Sequence, residues 1–214
     1  MSGGRAASAY PESRLKRAFD VTAALAGLIV LAPLLALLAL LVVATMGSPA
    51  FFVQERVGRG GAPFRLVKFR TMRPDGGQGP GLTARGDARV TPLGRVLRRT
   101  KCDELPQLWN VLRGDMSIVG PRPELPRYVA LYDARQRRVL RARPGLTDPA
   151  SIAFRDEESR LAAAPEDRRE RLYVEQILPE KLRLNLEYLE GAGFLSDLGL
   201  IARTAAAVAR LKRG

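Results

Sequence analysis

The sequence predicts an α+β fold. A membrane-embedded helical segment over 13–47 is followed by a compact, mostly helical domain over 48–214 with a small strand hairpin. Three observations predict it. Val21 to Gly47, VTAALAGLIVLAPLLALLALLVVATMG, carries no charged side chain. Phe51 to Met72 holds apolar runs split by Gly58, Gly60 and Gly61, the pattern of a hairpin. Beyond it, apolar residues recur at helical spacing between proline starts and glycine stops.

Residues 1–12 are small and polar and are expected to form a flexible N-terminus. They are not expected to be a signal peptide, because about twenty residues precede the apolar run. Arg14 to Asp20 forms the water-side start of the membrane segment. As a helix, Val21 to Met46 would extend roughly 39 Å, enough to cross a hydrocarbon core of about 30 Å. Pro33 removes a backbone hydrogen bond near its middle. Each half is then roughly 18–20 Å long and reaches only partway. Both flanks are basic: Arg14, Lys16 and Arg17 before, Arg56, Arg59, Arg65, Lys68 and Arg70 after. A straight span would put one flank outside, against the positive-inside rule, whereas a helix-break-helix would return both to one face. On the residues alone, the two arrangements stay equally open.

After the hairpin, Arg73 to Ala88 is rich in Gly, Pro and Asp and reads as a loop. Thr91-Pro92 forms an N-cap with proline at the first helical position, opening a short helix to about Arg99. A second helix follows in DELPQLWNVLRG. Leu105, Leu108, Trp109 and Leu112 share one expected buried face, and Gly114 closes the helix. SIVGPRPELP is a proline-stiffened loop, and Tyr128 to Arg141 is expected to be helical and basic. Glu166 to Glu190 should be mostly helical, interrupted at Pro179. Ser196 to Arg213 is an amphipathic helix with Leu198, Ile201, Ala205, Val208 and Leu211 on one side and Arg203, Arg210, Lys212 and Arg213 nearby. It suits either an anionic lipid surface or a packed core.

Composition narrows the chemistry. Lys and Arg number 35 against 22 acids, a net charge of +13, which favours phosphate-bearing partners. There is no histidine, so Ser-His-Asp and Cys-His catalysis and His-ligated metals are excluded. The single cysteine, Cys102, excludes an internal disulfide and a cysteine zinc cluster. Carboxylates, cations, hydroxyls and hard metals remain. Asp103 and Glu104 stand where acids often cap a helix. They also follow Arg98, Arg99 and Lys101, and a carboxylate pair is the best remaining source of a nucleophile and a base. Lys68 and Arg70 sit two apart on a strand and share a side. Arg122 lies between two prolines in GPRPE, where a stiff loop could aim its fork at phosphate. Arg143 precedes another turn, Pro144-Gly145. A solvated strand face and surface turns explain these four cations as readily.

Taken in order, KRAFD, the proline-broken apolar run, KFRTM, LTARGDARVTPLGRVLRRTKCDELPQLWNVLRGDMSIVGPRPE and RPGLTDPASI resemble the bacterial sugar transferases. These are monotopic polyprenyl-phosphate phosphoglycosyl transferases, and the likeness is to their minimal catalytic form. It covers roughly Arg14 to Leu211. The resemblance implies a re-entrant helix-break-helix that enters the bacterial inner membrane from the cytoplasmic face, with Pro33 at the break, and amphipathic interfacial helices. It implies transfer of a sugar phosphate from a nucleotide-diphosphate sugar, with UDP expected, to polyprenol phosphate, expected to be undecaprenyl, with release of UMP. Asp103 would be the nucleophile, carrying a phosphosugar and standing near Mg2+. Glu104 would deprotonate the acceptor. Lys68, Arg70, Arg98, Arg122 and Arg143 would contact phosphate and nucleotide. The family often continues its RPG motif as RPGITGWAQVNG; this chain reads RPGLTDPASI, which leaves the sugar open, and a homodimer is open too.

The rival reading is a membrane-tethered nucleic-acid binder with a helix-turn-helix around Arg95 to Arg113. It fits the charge but commits its second helix to an apolar face rather than to base-reading side chains. It also leaves the proline-broken segment and GPRPE unexplained, so no nucleic-acid partner is expected.

Overall fold

The structure is a computed structural model that describes residues 8–73 and 82–211. The start of the expected flexible N-terminus, the middle of the expected Arg73–Ala88 loop, and Lys212 and Arg213 therefore lie outside the described residues. So do the side chains of Arg210 and Leu211.

Helix α1 spans Arg14–Met46. The Ser13 hydroxyl caps it, accepting from the Lys16 amide at 3.1 Å. Gly47 ends it at φ 74°. The chain stays helical through Pro33, where a break was expected. A proline inside a helix removes one backbone hydrogen bond, which is less costly than opening a whole turn.

Burial along α1 is uneven. Lys16, Asp20 and Ala24 near its start and Leu38 and Val42 near its end are buried, whereas Ile29, Val30, Leu34 and Leu37 between them are exposed. Charge fixes its first turns. Lys16 Nζ lies 2.8 Å from Asp20 Oδ1 and 2.9 Å from Asp197 Oδ2. Asp20 accepts from the Ile118 amide at 3.0 Å and the Ser117 hydroxyl at 3.1 Å. Arg17 donates to the Val111 and Leu112 carbonyls at 2.7 and 2.8 Å.

The expected hairpin forms. Strand β1 (Phe51–Val57) pairs antiparallel with β2 (Pro63–Phe69), in a register that sets Phe51 opposite Phe69. Helix α2 (Pro92–Thr100) starts on the Thr91 cap, with Gly94 N donating to Thr91 Oγ1 at 3.0 Å. Its Leu97 packs with Phe69 of β2 and with Leu38 and Val42 of α1. Helix α3 (Gln107–Arg113) stops at Gly114, φ 94°, as expected. Its buried face differs from the expected one: Gln107, Leu108, Asn110 and Val111 are buried, while Trp109 is 50% exposed. The dyad is the reason. It occupies a separate 3-10 turn over Cys102–Glu104, so α3 begins at Gln107 rather than at the dyad, and its face is rotated.

Strand β3 (Ser117–Val119) pairs in parallel with β4 (Gly145–Thr147). Gly120 and Gly145 meet backbone to backbone: a Cβ at Gly145 would run into Gly120, and one at Gly120 into the Arg143 carbonyl. The GPRPE loop is thereby locked against the RPG turn. Where one basic helix was expected, α4 (Pro126–Val129) and a 3-10 turn over Gln136–Arg141 appear. Helices α5 (Pro149–Ala153), α6 (Glu157–Ala163) and α7 (Arg169–Leu172) lead into a π turn over Tyr173–Ile177 and helix α8 (Leu178–Gly191). Pro179 falls in the first turn of α8, so it starts a helix rather than interrupting one.

Helix α9 (Phe194–Leu211) packs through Asp197 and Leu200, while Leu195 and Leu198 are exposed. It is thus docked through a side other than the expected one, while Leu198 of the expected apolar side faces solvent. The largest core cluster joins Tyr128, Tyr132, Leu161, Tyr173, Leu178 and Leu182.

Gly145→Ala should force β3 and β4 apart. The expected cost is about 1–3 kcal/mol, lowering the melting temperature in detergent by roughly 3–10 °C. An unchanged melting point would show that the two loops do not bear on each other.

Candidate active site

The sequence turns sharply at one residue. Lys101, φ 57°, ends α2 in the left-handed conformation and redirects the chain into the Cys102–Glu104 turn. Asp103 is buried there, and its Oδ1 has no hydrogen-bond partner among the described residues. Glu104 points elsewhere: its Oε1 accepts from Arg122 Nη2 at 2.7 Å. Two adjacent acids thus have different environments, as the helical rotation between neighbours implies.

The electrostatics separate them further. Burial, then the neighbouring Glu104 charge, raises Asp103 above the usual carboxylate range, against the pull of Lys101, Lys68 and Arg98. Burial would raise Glu104 as well. Arg122 foremost, with Lys101 and Lys68, overcomes it and holds Glu104 down at about 2. Lys68 is itself pushed down to about 8 by burial, which Asp103 only partly offsets.

Three elements bring these groups together. Lys68 stands on β2 opposite Phe52, with its ammonium 5.3 Å from that ring. Asn110 of α3 ties β2 to the dyad side. Its Oδ1 accepts from the Val67 amide at 3.1 Å, and its Nδ2 donates to the Arg65 carbonyl at 2.8 Å. Arg98 reaches from the last turn of α2 and pairs with Glu158 of α6 at 2.5 Å.

Lys68, Arg98 and Arg122 therefore gather around Asp103 and Glu104, as the sequence suggested. Two cations do not join them. Arg70 closes the end of α1, donating to the Met46 carbonyl at 2.8 Å and to that of Gly47. Arg143 donates to the Gly114 carbonyl at 3.1 Å. It lies beyond the far end of α3, about 15 Å from the dyad by helical rise, and its charged surroundings are Arg59, Arg17, Asp20 and Glu12. Both terminate helices by meeting carbonyls that lack partners.

Sequence reasoning missed Arg56, Glu124 and Glu158. Arg56 donates to the Pro123 carbonyl at 3.1 Å and lies 3.8 Å from Glu124. The glutamate of GPRPE was visible, but its partners lie on distant elements.

An anionic side chain with a free buried oxygen, beside a paired carboxylate and several cations, can attack an electrophile whose leaving group is anionic. It can also share a hard cation. Among the described residues, no cluster of three or more acidic, His or Cys side chains forms a ready metal cage.

Residues 11–211 match the model of a family described as Bacterial sugar transferase. The chain is 39% identical over 193 residues to a UDP-glucose:undecaprenyl-phosphate glucose-1-phosphate transferase of Caulobacter vibrioides, covering 88% of this chain and 67% of that protein. It is 48% identical over 113 residues to a putative undecaprenyl-phosphate N-acetylgalactosaminyl 1-phosphate transferase of Bacillus subtilis, covering 52% of this chain and 63% of that one. With the Bacillus subtilis sugar transferase EpsL it shares 37% identity over 190 residues, 89% of this chain and 85% of the relative.

Arg122→Gln should destabilise the protein at neutral pH by leaving Glu104 charged, buried and unpaired. The deficit should shrink as pH falls toward 4. There the variant's Glu104 takes up a proton, while the parent's, at about 2, stays ionised. Melting temperatures of both proteins at pH 7 and pH 4 test this; a deficit independent of pH would count against the pairing.

Proposed function

The chain belongs to the bacterial sugar transferase family, and on that premise we propose that it moves a sugar 1-phosphate from a nucleoside diphosphate sugar to polyprenol phosphate. The donor is a UDP-sugar, the acceptor undecaprenyl phosphate, and UMP is released. The observation that carries this reading is the buried Asp103 oxygen without a partner, next to a carboxylate already engaged by Arg122.

In the first displacement, an Asp103 oxygen attacks the phosphorus that bears the sugar. A new O–P bond forms, the P–O bond to the nucleotide breaks, and UMP leaves with the bonding pair. In the second, an oxygen of polyprenol phosphate attacks the same phosphorus. The Asp103–phosphorus bond breaks, Asp103 returns as a carboxylate, and Glu104 takes any proton the acceptor brings. Two displacements let donor and lipid use one site in turn. Lys68, Arg98 and Arg122 bind and orient phosphate oxygens; Arg98 does so by exchanging its Glu158 partner for the substrate.

Mg2+ fits this donor set. Asp103 Oδ1 is free to hold it, and the lack of a cage among the described residues suits an ion that keeps water and substrate phosphates in its shell. When bound, it would supply positive charge to a diphosphate approached by an anion. The upward shift of Asp103 points the same way, since an added cation would keep that side chain ionised.

We place the site at the cytoplasmic face of the inner membrane, with α1 re-entrant. The support is its burial pattern. Both ends of α1 pack on the same domain while the residues around Pro33 are exposed and apolar. A straight span would carry one end across about 30 Å of hydrocarbon. Leu195 and Leu198 of α9 add an apolar surface suited to the interface.

With Mg2+, undecaprenyl phosphate and a panel of UDP-sugars, the protein should release UMP, and Asp103→Asn should slow release by about 10⁴-fold or more. Intact mass after rapid quenching with donor alone should show one added sugar phosphate. UMP release at the parent rate from Asp103→Asn would remove the nucleophile assignment.

Topology is tested with Cys102→Ser carrying Ala9→Cys or Ala88→Cys. Both thiols should react with an impermeant reagent from the cytoplasmic side only, and reaction from opposite sides would defeat the re-entrant arrangement.

A further inference from the structure

A lysine sits in the main apolar core with no contact to the dyad. Lys181 of α8 is 5% exposed, between Leu178, Leu182 and Tyr173. Its ammonium lies 3.1 Å from Glu157 Oε2, 3.4 Å from Glu124 Oε1 and 3.3 Å from the Tyr173 hydroxyl. Tyr173 donates to the same Glu124 oxygen at 2.6 Å. A buried ion pair is often no more stabilising than apolar residues of equal volume. Core stability therefore does not account for a charge here.

The local helix is built around this contact. In a plain α-helix, residues eight apart point about 80° from one another. The π turn over Tyr173–Ile177 takes up one extra residue. That brings Tyr173 and Lys181 to about 20° apart, and both reach Glu124.

Glu124 is the only member of the group on the GPRPE loop, two residues from Arg122. That loop has little freedom. Prolines at 121 and 123 restrict the backbone on both sides of Arg122. The Pro121 carbonyl accepts from Gly145 N at 2.8 Å, and the Glu124 carbonyl accepts from Val57 N at 3.0 Å. Arg56 holds the segment as well, donating to the Pro123 carbonyl at 3.1 Å and lying 3.8 Å from Glu124 Oε2, so the Glu124 carboxylate is set between Arg56 on one oxygen and Lys181 on the other. We propose that Lys181 is a positioning residue: by fixing Glu124, it sets the Arg122 guanidinium on Glu104. This rests on the function proposed above, in which Glu104 serves the polyprenol phosphate step.

The experiment uses the full chain in nanodiscs, with Lys181→Met as the apolar variant of similar length and Leu182→Ala as a control that weakens the same helix without touching the ions. The first readout needs no activity. Phenylglyoxal labelling, read by peptide mass spectrometry, should modify Arg122 several-fold faster in Lys181→Met than in the parent or in Leu182→Ala. The second separates the half-reactions, with UDP-glucose and UDP-N-acetylgalactosamine as donors. Transfer to undecaprenyl phosphate should slow roughly ten- to a hundredfold, as expected for a displaced group, and by more than first-turnover UMP release, which loses only the Arg122 contact to the donor phosphate while Lys68 and Arg98 keep theirs. Should Lys181→Met fail to fold, Glu124→Gln, equal in size, should give the same two changes.

Unchanged Arg122 labelling in a folded variant overturns the proposal, as does an equal loss in both half-reactions. Faster labelling with no UMP release from the parent on either donor would leave Lys181 as the positioner of Arg122 and count against the proposed function instead.

Discussion

Two adjacent carboxylates with little access to water are the constraint around which this molecule is arranged. Burial raises the cost of ionising either one, and the Glu104 charge raises it further for Asp103. The fold resolves the conflict unequally. Arg122 is given to Glu104, which becomes a fixed anion, whereas Asp103 keeps an oxygen with no partner among the described residues. Lys68 from the hairpin, Arg98 from α2 and Lys101 from the turn supply the surrounding positive charge. With Arg122 of the GPRPE loop, four cations surround the dyad, which accounts for part of a net charge of +13.

The second requirement is to hold a helix that is apolar on most faces against a folded domain. Apolar contact cannot choose the face, because lipid receives leucine as readily as a protein core does. Buried charge chooses it. Lys16 binds both Asp20 and Asp197, Asp20 also accepts from β3, and Arg17 caps α3. At the other end, Arg70 receives the last carbonyls of α1. The basic flanks that suggested membrane topology are, in part, these anchors. The same side chains that dock both ends of α1 on the folded domain also fix the position of the hairpin and α3, and so of the dyad.

Much of the local structure was legible. The Thr91-Pro92 start, the stop at Gly114 and the glycine-split hairpin depend on backbone preferences of single residues, and each appears where expected. The family, too, could be read from motifs in order. Errors arose where neighbouring elements compete for a residue. Trp109 fits a helical stripe, but the dyad takes its own turn and the stripe rotates away. Pro179 looks like a breaker, yet the π turn before it lets it begin a helix. Pro33 should break α1, but one lost hydrogen bond is less costly than an opened turn, and the chain stays helical.

The sequence by itself determined which groups could do chemistry: without histidine and with one cysteine, an acidic pair among arginines was the only strong candidate. It also determined the apolar length of α1 and the ends of the short helices, since these follow from side chains close along the chain. Only the tertiary structure decided which cations serve the pair. Arg70 and Arg143 resemble Arg122 in sequence, yet they meet helix carbonyls, while Arg122 meets Glu104. The reason is that a charge takes its role from partners brought within a few ångströms by folding. For Glu124 and Lys181 those partners are 57 residues apart along the chain.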